Sequence, residues 1–264
     1  MKEQILSHLP QNHPWRDQIQ YFDIIDSTNT RCKQLALQGA PHGTVLLADS
    51  QTGGRGRLGR SFQSPVGMGV YMSVLLRPQC SADRLMHLTC AAAVAACDAV
   101  ERVCGIRPGI KWTNDLVIGK QKIAGILTEL VHGPNGIGAV IGIGVNCCQQ
   151  EADFPEDIRT VAGSLAMATG QPGDRFAVAA ALVEAFERMD RTLLTGQAEM
   201  MDRYRADCIT VGQDVCLVRD DAVRYGHAEG VDDGGALLVR FPDGHVEAVS
   251  SGEVSVRGMY GYIS

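Results

Sequence analysis

The stretch GGRGRLGRSF, Gly53–Phe62, restricts the fold of this chain more than any other feature. Its glycines are spaced as in the G-x-G-x-x-G motif of dinucleotide-binding folds, and together with Arg60 they also come close to a P-loop. Both motifs need a helix directly after the glycines, because the helix N-terminus supplies the amides that hold phosphate. A proline at position 65 and two more glycines follow instead. Both folds are therefore excluded, and we expect a loop between two strands.

The segments around this loop predict a mixture of helices and strands without a regular βαβ repeat. Apolar runs over Gly43–Ser50 and Val70–Leu76 predict the two flanking strands. A helix is expected to begin at Asp26 or Ser27, with Leu35 on its buried face, and to end at Gly39. Further helices are expected over residues 81–105, 174–196 and 198–207, the first of them the longest. Residues 110–130 predict a strand and a hairpin that turns at GKQ, and IGAVIGIGVN (residues 137–146) predicts a strand whose glycines allow close approach.

The pattern changes near Thr210. From Val211 onward, short strand-like runs are separated by the turn signals DDGG and PDGH. Strands at this spacing are typical of a small β-barrel. We therefore expect two domains, residues 1–210 and residues 211–264.

Composition limits the classes of function. The formal net charge of −6 argues against general nucleic-acid binding, which usually depends on a basic surface. Three of the nine cysteines, at positions 90, 97 and 104, recur every seven residues, so we expect reduced, buried thiols in a cytoplasmic protein. The spacing of Cys and His matches no common metal motif. The N-terminus does not resemble a signal peptide, and no run of 18 apolar residues predicts a membrane span.

Two basic clusters suggest an anion site. Arg55, Arg57 and Arg60 lie on a glycine-rich backbone that we expect to be mobile until an anion binds, although a solvated basic turn is the alternative. The second cluster is KWTND, residues 111–115, followed by Lys122 at the start of the returning strand. A lysine there either extends into solvent or meets a fixed anion. The Trp and Asn of KWTND are also compatible with a core residue beside a turn.

Taken together, the motifs resemble a known family. DSTN, QTGGRGRLGRSF, KWTNDL, KIAGIL and IGIGVN, in this order and spacing, resemble the catalytic domain of biotin protein ligases, and SGEVSVR resembles their small C-terminal barrel. The resemblance covers the chain from about Tyr21 to Tyr260. It implies an α+β fold in which a mixed, largely antiparallel sheet with helices, of the class II aminoacyl-tRNA synthetase and biotin ligase type, precedes a small SH3-like β-barrel.

The resemblance also implies a reaction. Biotin and MgATP would form biotinyl-5′-AMP and pyrophosphate, and a lysine of a biotin carboxyl carrier protein would then attack the adenylate. Arg55, Arg57 and Lys122 would be catalytic. The implied biotin-binding residues are Ser27, Thr28, Asn29, Gln51, Gly54, Arg55, Gly56, Arg57, Lys122, Gly125, Gly142 and Gly144. The implied ATP-binding residues are Arg57, Arg60, Phe62, Lys111, Asn114, Lys122 and Asn146, and Asp115 is the candidate for Mg²⁺. Phe62 stands where well-known relatives carry tryptophan.

Three points stay open. Only about 20 residues precede YFDIIDSTN, so we expect no helix-turn-helix module and no repressor role. The family includes monomers and homodimers, so a homodimer is left open. Lipoate-protein ligase, which adenylates a carboxylate in the same architecture, and a non-catalytic biotin sensor are the alternative functions.

Overall fold

A computed structural model describes residues 1–133, 135–219, 222–250 and 253–256 of the 264-residue chain. Seven strands form a mixed sheet, and six α-helices accompany it. The strands are β1 Ile19–Ile25, β2 Thr44–Gln51, β3 Gly69–Leu76, β4 Gly109–Lys111, β5 Asp115–Ile118, β6 Gln121–Gly133 and β7 Gly136–Asn146. The helices are α1 Lys2–His8, α2 Thr28–Leu37, α3 Leu88–Cys104, α4 Leu165–Thr169, α5 Arg175–Thr192 and α6 Gln197–Asp207.

The sheet order is β1-β2-β3-β7-β6-β5-β4, with β1 parallel to β2 and the other neighbouring pairs antiparallel. Strand β3, the third in this order, is buried over its full length because helices cover both of its faces. On one face, Cys32 and Ala36 of α2 pack against Leu75 of β3. On the other, α3 and α5 form the large core. The α+β fold with a mixed sheet and helices is thus confirmed.

Local signals explain α2 well. The Ser27 hydroxyl accepts a hydrogen bond from the amide of Thr30 at 3.4 Å, which identifies Ser27 as the N-cap. At the other end, Gly39 adopts a φ of +86°, a conformation that favours glycine. Leu35 is half-buried against the α2 core cluster. The predicted start and end of this helix are confirmed.

The two long helices differ from expectation at one end each. Residues Ala82–Leu85 form a separate 3₁₀ turn after Ser81, and α3 begins only at Leu88, so a continuous helix from Ser81 was wrong. At 17 residues α3 is also shorter than α5, which has 18. Helix α5 ends at Thr192 because the following residues form a turn in which the Gly196 amide donates to the Thr192 carbonyl at 2.8 Å. Gly196 therefore begins α6 instead of ending α5.

The prediction of free thiols on α3 is confirmed, and burial is confirmed for two of the three. All nine cysteines are free, and Cys90 and Cys97 are buried on α3 while Cys104 is half-buried. Burial raises the pKa of the Cys90 thiol to about 12. Burial also raises the pKa of the Cys97 and Cys104 thiols, so the three thiols of α3 stay protonated at neutral pH and act as apolar groups.

The segment after α1 contains a half-buried histidine. His13 Nδ1 accepts a hydrogen bond from the Trp15 amide at 3.2 Å, while His13 Nε2 is buried without a partner among the described residues. Burial lowers the pKa of His13 below its ordinary value of 6.5. Protonation of this side chain is therefore less favourable in the folded protein than in the unfolded chain.

The C-terminal part is a separate antiparallel sheet. Its strands are β8 Asp214–Arg219, β9 Ala222–Val231, β10 Leu237–Arg240, β11 Val246–Val249 and β12 Glu253–Val256, in the order β11-β10-β9-β8-β12. Trp112 Nε1 donates to the Gly235 carbonyl at 2.9 Å and so connects the two parts. The expected small β domain is confirmed, although only Glu253–Val256 of the SGEVSVR motif lies within the described residues. No helix in the described part of the chain has the length and apolar character needed to cross a bilayer.

Candidate active site

A cavity of about 400 Å³ lies where the Gly53–Phe62 loop meets the start of α2 and the β5–β6 hairpin. Most of the residues that the sequence analysis assigned to biotin, ATP or metal line it. These are Ser27, Thr28, Asn29, Gln51, Arg55, Gly56, Arg57, Arg60, Phe62, Lys111, Asn114, Asp115, Lys122, Gly125, Gly142 and Gly144. The motifs are far apart in sequence, so the fold brings them to one place.

Two predicted residues do not line the cavity. Gly54 is buried in the base of the loop, where a Cβ would overlap the Phe62 carbonyl oxygen. Asn146 is buried, and its Nδ2 donates to the Gly163 carbonyl at 2.9 Å. Both residues therefore support the backbone around the cavity.

The loop has a closed, hairpin-like shape. The Gly56 amide donates to the Arg60 carbonyl at 2.7 Å, and the Phe62 amide donates to the Gly54 carbonyl at 2.9 Å. A short 3₁₀ turn, Arg57–Gly59, forms its tip, and Gly59 has a φ of +76°. The predicted absence of a helix after the glycines is confirmed, because the chain returns to pair with itself and then enters β3. Whether the loop is mobile without an anion stays a prediction.

One wall of the cavity is strongly basic. Five basic side chains line it, against the two carboxylates of Asp115 and Asp157. The basic residues are Arg55, Arg57, Arg60, Lys111 and Lys122. Like charges at this density repel one another unless an anion binds between them. The cavity is therefore suited to a ligand with several negative charges.

Neighbouring side chains orient two of the cations. Arg57 Nη1 donates to Asn114 Oδ1 at 2.9 Å, and Asn114 Nδ2 in turn donates to the Ile126 carbonyl at 2.9 Å. Lys122 Nζ lies 2.7 Å from Asp115 Oδ1 on the paired strand β5. Arg57 of the loop and Lys122 of the β5–β6 hairpin are thus both held against this hairpin before any ligand binds.

A segment without a recognisable motif completes the cavity. The Lys122 amide donates to the Val161 carbonyl at 2.8 Å, and the Gly163 amide donates to the Lys122 carbonyl at 2.9 Å. This bridge brings Asp157 and Ile158 into the lining. Val254 of β12 also lines it, so the C-terminal sheet contributes to the site. These residues carry no sequence signal for the site, because only tertiary contacts bring them to the cavity.

A second group of lining residues, the polar wall, consists of the uncharged polar side chains of Ser27, Thr28, Asn29 and Gln51. The Thr28 amide donates to Gln51 Oε1 at 2.8 Å, and Gln51 Nε2 donates to Ser64 Oγ at 2.9 Å. Thr28 and Asn29 are buried, at 3% and 4% exposure, whereas Gln51 is half-buried. Ser27 both caps α2 and lines the cavity, which supports both interpretations of that residue.

Glycines in β6 and β7 provide room for side chains. A Cβ at Gly142 would overlap Asn29 Oδ1, and a Cβ at Gly144 would overlap the Phe62 ring. A Cβ at Gly125 would lie 3.3 Å from Lys122 Nζ. Gly142 and Gly144 therefore make room for the side chains of Asn29 and Phe62, instead of leaving bare backbone for a ligand.

Both the N-terminal and the C-terminal parts of the chain match known protein families. Residues 21–146 match the model of the biotin/lipoate A/B protein ligase family, and residues 210–257 match that of the biotin protein ligase C-terminal domain. The chain is 36% identical to the bifunctional ligase/repressor BirA of Bacillus subtilis over 238 residues, which covers 89% of this chain and 73% of BirA. It is 35% identical to the biotin--[acetyl-CoA-carboxylase] ligase of Paracoccus denitrificans, with coverage of 88% and 98%.

A solved structure shows the same similarity in three dimensions. The biotin protein ligase of Aquifex aeolicus in complex with biotin and ATP superposes with a TM-score of 0.78 at 30% sequence identity. The match covers 90% of this chain and 98% of the other. Both the mixed sheet and the C-terminal sheet therefore have a counterpart of known structure.

Proposed function

The chain belongs to the biotin/lipoate A/B protein ligase family, and from that premise we propose that it activates biotin with ATP and transfers it to a lysine of a carrier protein. The observation that carries the proposal is one cavity with a basic wall and an uncharged polar wall. Relatives named biotin--[acetyl-CoA-carboxylase] ligase and a neighbour solved with biotin and ATP support the same substrates.

The basic wall suits the first step. A carboxylate oxygen of biotin attacks the α-phosphorus of ATP, the bond from that phosphorus to the bridging oxygen breaks, and pyrophosphate leaves. The two reactants are both anionic and repel each other, so the site must neutralise them and stabilise the charge that develops in the transition state. Arg55, Arg57 and Lys122 are the groups that we assign to this task. Arg60 and Lys111 would hold the remaining phosphates.

Lys122 is the central cation of this proposal. Its partner Asp115 fixes the ammonium at the cavity wall, so little reorganisation is needed when the anions arrive. Incoming carboxylate and phosphate oxygens would compete with Asp115 for the three N–H donors of Lys122. We propose that Lys122 bridges the biotin carboxylate and the α-phosphate.

The polar wall favours biotin over lipoate. The ureido ring of biotin carries two N–H donors and one carbonyl acceptor, which can pair with Ser27, Thr28 and Gln51. The dithiolane ring of lipoate offers no hydrogen-bond donor, so it would leave buried polar groups unpaired. A non-catalytic sensor would need only this wall and not the five cations.

Magnesium enters as part of the substrate MgATP. Mg²⁺ is usually held by one or two carboxylates together with substrate phosphates, and the described residues contain no group of three or more His, Cys, Asp or Glu side chains arranged for a metal. Asp115 is the carboxylate that we assign to it. Because Asp115 already pairs with Lys122, a metal ion there would have to share or release that contact.

In the second step the amine of a carrier lysine attacks the acyl carbon of biotinyl-5′-AMP, AMP leaves, and the amine loses a proton as the amide forms. We propose a biotin carboxyl carrier protein as the partner, residues 1–210 as the catalytic domain and residues 211–264 as the C-terminal domain. Nine free cysteines support a cytoplasmic location. A homodimer, and the lack of nucleic-acid binding, stay predictions from the sequence.

The test is transfer of labelled biotin to a purified carrier domain, with and without MgATP. Label on the carrier that depends on ATP supports the ligase, and transfer of lipoate instead supports the alternative ligase. Tight biotin binding with no transfer would refute the catalytic proposal and favour a sensor.

A further inference from the structure

A second cavity, of about 510 Å³, lies beside the active-site cavity and is lined by both parts of the chain. The N-terminal part contributes the start of α3 and a short stretch of β6, and the C-terminal sheet contributes the turn between β9 and β10. Arg57, Ile126 and Leu127 line both cavities, so the two meet at the guanidinium that we assign to the reacting anions. We call the second cavity the side groove, and its other lining residues include Met86, Asp232 and Ala248.

Hydrogen bonds hold the C-terminal wall of the side groove in place. Asp232 Oδ1 accepts from the amides of Gly234 and Ala236 at 2.9 and 2.8 Å, which fixes the β9–β10 turn. Trp112 Nε1 donates to the Gly235 carbonyl of this turn at 2.9 Å and so fastens it to the catalytic sheet. The groove is therefore formed before a partner binds, and docking needs little ordering of its walls.

The side groove differs from the active-site cavity in its charge. Among the described residues that line it, only Arg57 and Asp232 are charged. The second carboxylate oxygen of Asp232 makes no hydrogen bond or ion pair within the described part of the chain. Met86 is 62% exposed and Ala248 is also exposed, so apolar surface of the groove is open to solvent. Such a surface suits a group that carries a positive charge on an apolar stem.

The proposed reaction has one reactant of this chemistry. Biotin and ATP occupy the active-site cavity, and the third reactant is a lysine on the surface of a carrier protein. A lysine side chain is an ammonium on a flexible four-carbon stem, so it can enter a cavity while the backbone that carries it stays outside. The side groove adjoins the reacting centre and lies outside the space that biotin and ATP fill.

We propose that the side groove receives the acceptor lysine of the biotin carboxyl carrier protein, together with the turn that bears it. Asp232 attracts the ammonium, and Met86 and Ala248 contact the aliphatic stem and its neighbours. The amine reaches the acyl carbon of biotinyl-5′-AMP from the side on which Arg57 lies. This inference rests on the proposed function, because the carrier is a substrate only if the chain is a ligase.

The charges along this route favour the reactive form of the amine. An ammonium close to the Arg57 guanidinium loses a proton more readily than one in water, because a like charge disfavours the charged form. That proton passes to water, and the nitrogen lone pair then forms a bond to the acyl carbon. The bond from this carbon to the phosphate oxygen breaks, its electron pair leaves with AMP, and a second N–H proton is lost as the amide forms.

The experiment separates the two steps of the reaction. Pyrophosphate release from biotin and MgATP measures the first step, and transfer from purified biotinyl-5′-AMP to a carrier domain or to hydroxylamine measures the second. Hydroxylamine is small and uncharged at neutral pH, so it needs no docking groove. Ala248→Trp should fill the groove and lower kcat/KM for the carrier by at least about tenfold, as expected when a docking contact is lost. Pyrophosphate release and the hydroxylamine reaction should stay within about twofold of wild type, as for other surface substitutions.

Asp232→Asn removes the negative charge but keeps an Oδ1 acceptor for the amides of Gly234 and Ala236, so the turn is retained. At low salt, kcat/KM for the carrier should fall by about three- to tenfold, because the attraction of the ammonium is lost. The difference from wild type should become smaller as salt is added, since salt screens this attraction. The hydroxylamine reaction should not change.

Val246→Trp and Asp243→Asn are the matched controls. Val246 is an exposed residue two positions before Ala248 on the same face of β11, but it does not line the groove. Asp243 lies in the β10–β11 turn, where its Oδ1 accepts from the His245 amide at 3.2 Å, so asparagine there also removes a charge and keeps the turn acceptor. Both controls should transfer biotin to the carrier like wild type.

Carrier transfer at the wild-type rate by Ala248→Trp and Asp232→Asn would overturn the role of the groove alone, whereas no adenylate formation by the wild type would overturn the proposed function. Equal losses in Val246→Trp and Ala248→Trp would also refute the groove. If Ala248→Trp loses pyrophosphate release as well, Asp232→Asn decides: a salt-dependent loss of carrier transfer supports the proposal, and an unchanged kcat/KM refutes it.

Discussion

Replacing Lys122 by alanine should separate catalysis from folding. Lys122 is 32% exposed and its partner Asp115 is 16% exposed, so their pair resembles a partly solvated salt bridge. Such pairs contribute about 0–1 kcal/mol to stability, so Lys122→Ala should unfold with a free energy close to that of wild type. Loss of one preorganised donor to a developing anion costs about 2.7–4 kcal/mol of transition-state stabilisation. Biotinyl-adenylate formation should therefore slow by about 10²- to 10³-fold.

The assay is single-turnover release of pyrophosphate from biotin and MgATP without the carrier, so that only the first step is observed. Lys120→Ala is the matched control, because Lys120 is an exposed lysine two residues away that does not line the cavity. It should react like wild type. A folded Lys122→Ala protein with near-normal adenylate formation would remove Lys122 from its assigned role.

Other expectations follow from the same geometry. Gly142→Ala should displace Asn29 and weaken biotin binding by about tenfold or more in calorimetry. The control is Gly230→Ala, because a Cβ added at this strand glycine would meet its nearest neighbour at 3.9 Å and should leave biotin binding unchanged. Equal biotin affinities of the two variants would contradict the close packing of Asn29 against Gly142. Because burial lowers the pKa of His13 below its ordinary value of 6.5, the unfolded chain binds the proton more readily, so the free energy of unfolding should decrease as the pH is lowered through 6.5. In urea unfolding, the free energy of unfolding of His13→Asn should depend less on pH than that of wild type. The same pH dependence in both proteins would contradict this prediction. Amide exchange of residues 53–62 should slow when biotin and ATP are added, and equal exchange would contradict the expected mobility.

Local signals in the sequence predicted most of the sheet and its loops. The strands beside the Gly53–Phe62 loop were predictable because they are short apolar runs bounded by glycine and proline. Local chemistry also located α2, whose N-cap is Ser27. Local signals failed at the start of α3, because Ser81 begins a separate 3₁₀ turn and the α-helix begins only after His87. His87 is buried, and its Nε2 lies 3.0 Å from the Leu193 carbonyl, a tertiary contact that the sequence does not reveal.

The candidate site was predictable where its residues lie in motifs. Arg57 and Lys122 were identified because clustered cations on a loop and at the start of a strand are typical of anion binding. Ser73 of β3, whose Oγ donates to Thr28 Oγ1 at 2.8 Å, could not be identified, since nothing within an apolar strand run marks one serine as the partner of a helix N-terminus 45 residues earlier. Val161 could not be identified either, because it reaches the cavity only through its backbone contact with Lys122.

The most direct test of the account is a crystal structure with biotin and a non-hydrolysable ATP analogue bound together. We predict Lys122 Nζ within about 3 Å of both the biotin carboxylate and the α-phosphate, with Arg55 and Arg57 on the same anions. A complex in which both compounds are bound and these three side chains extend into solvent would contradict it.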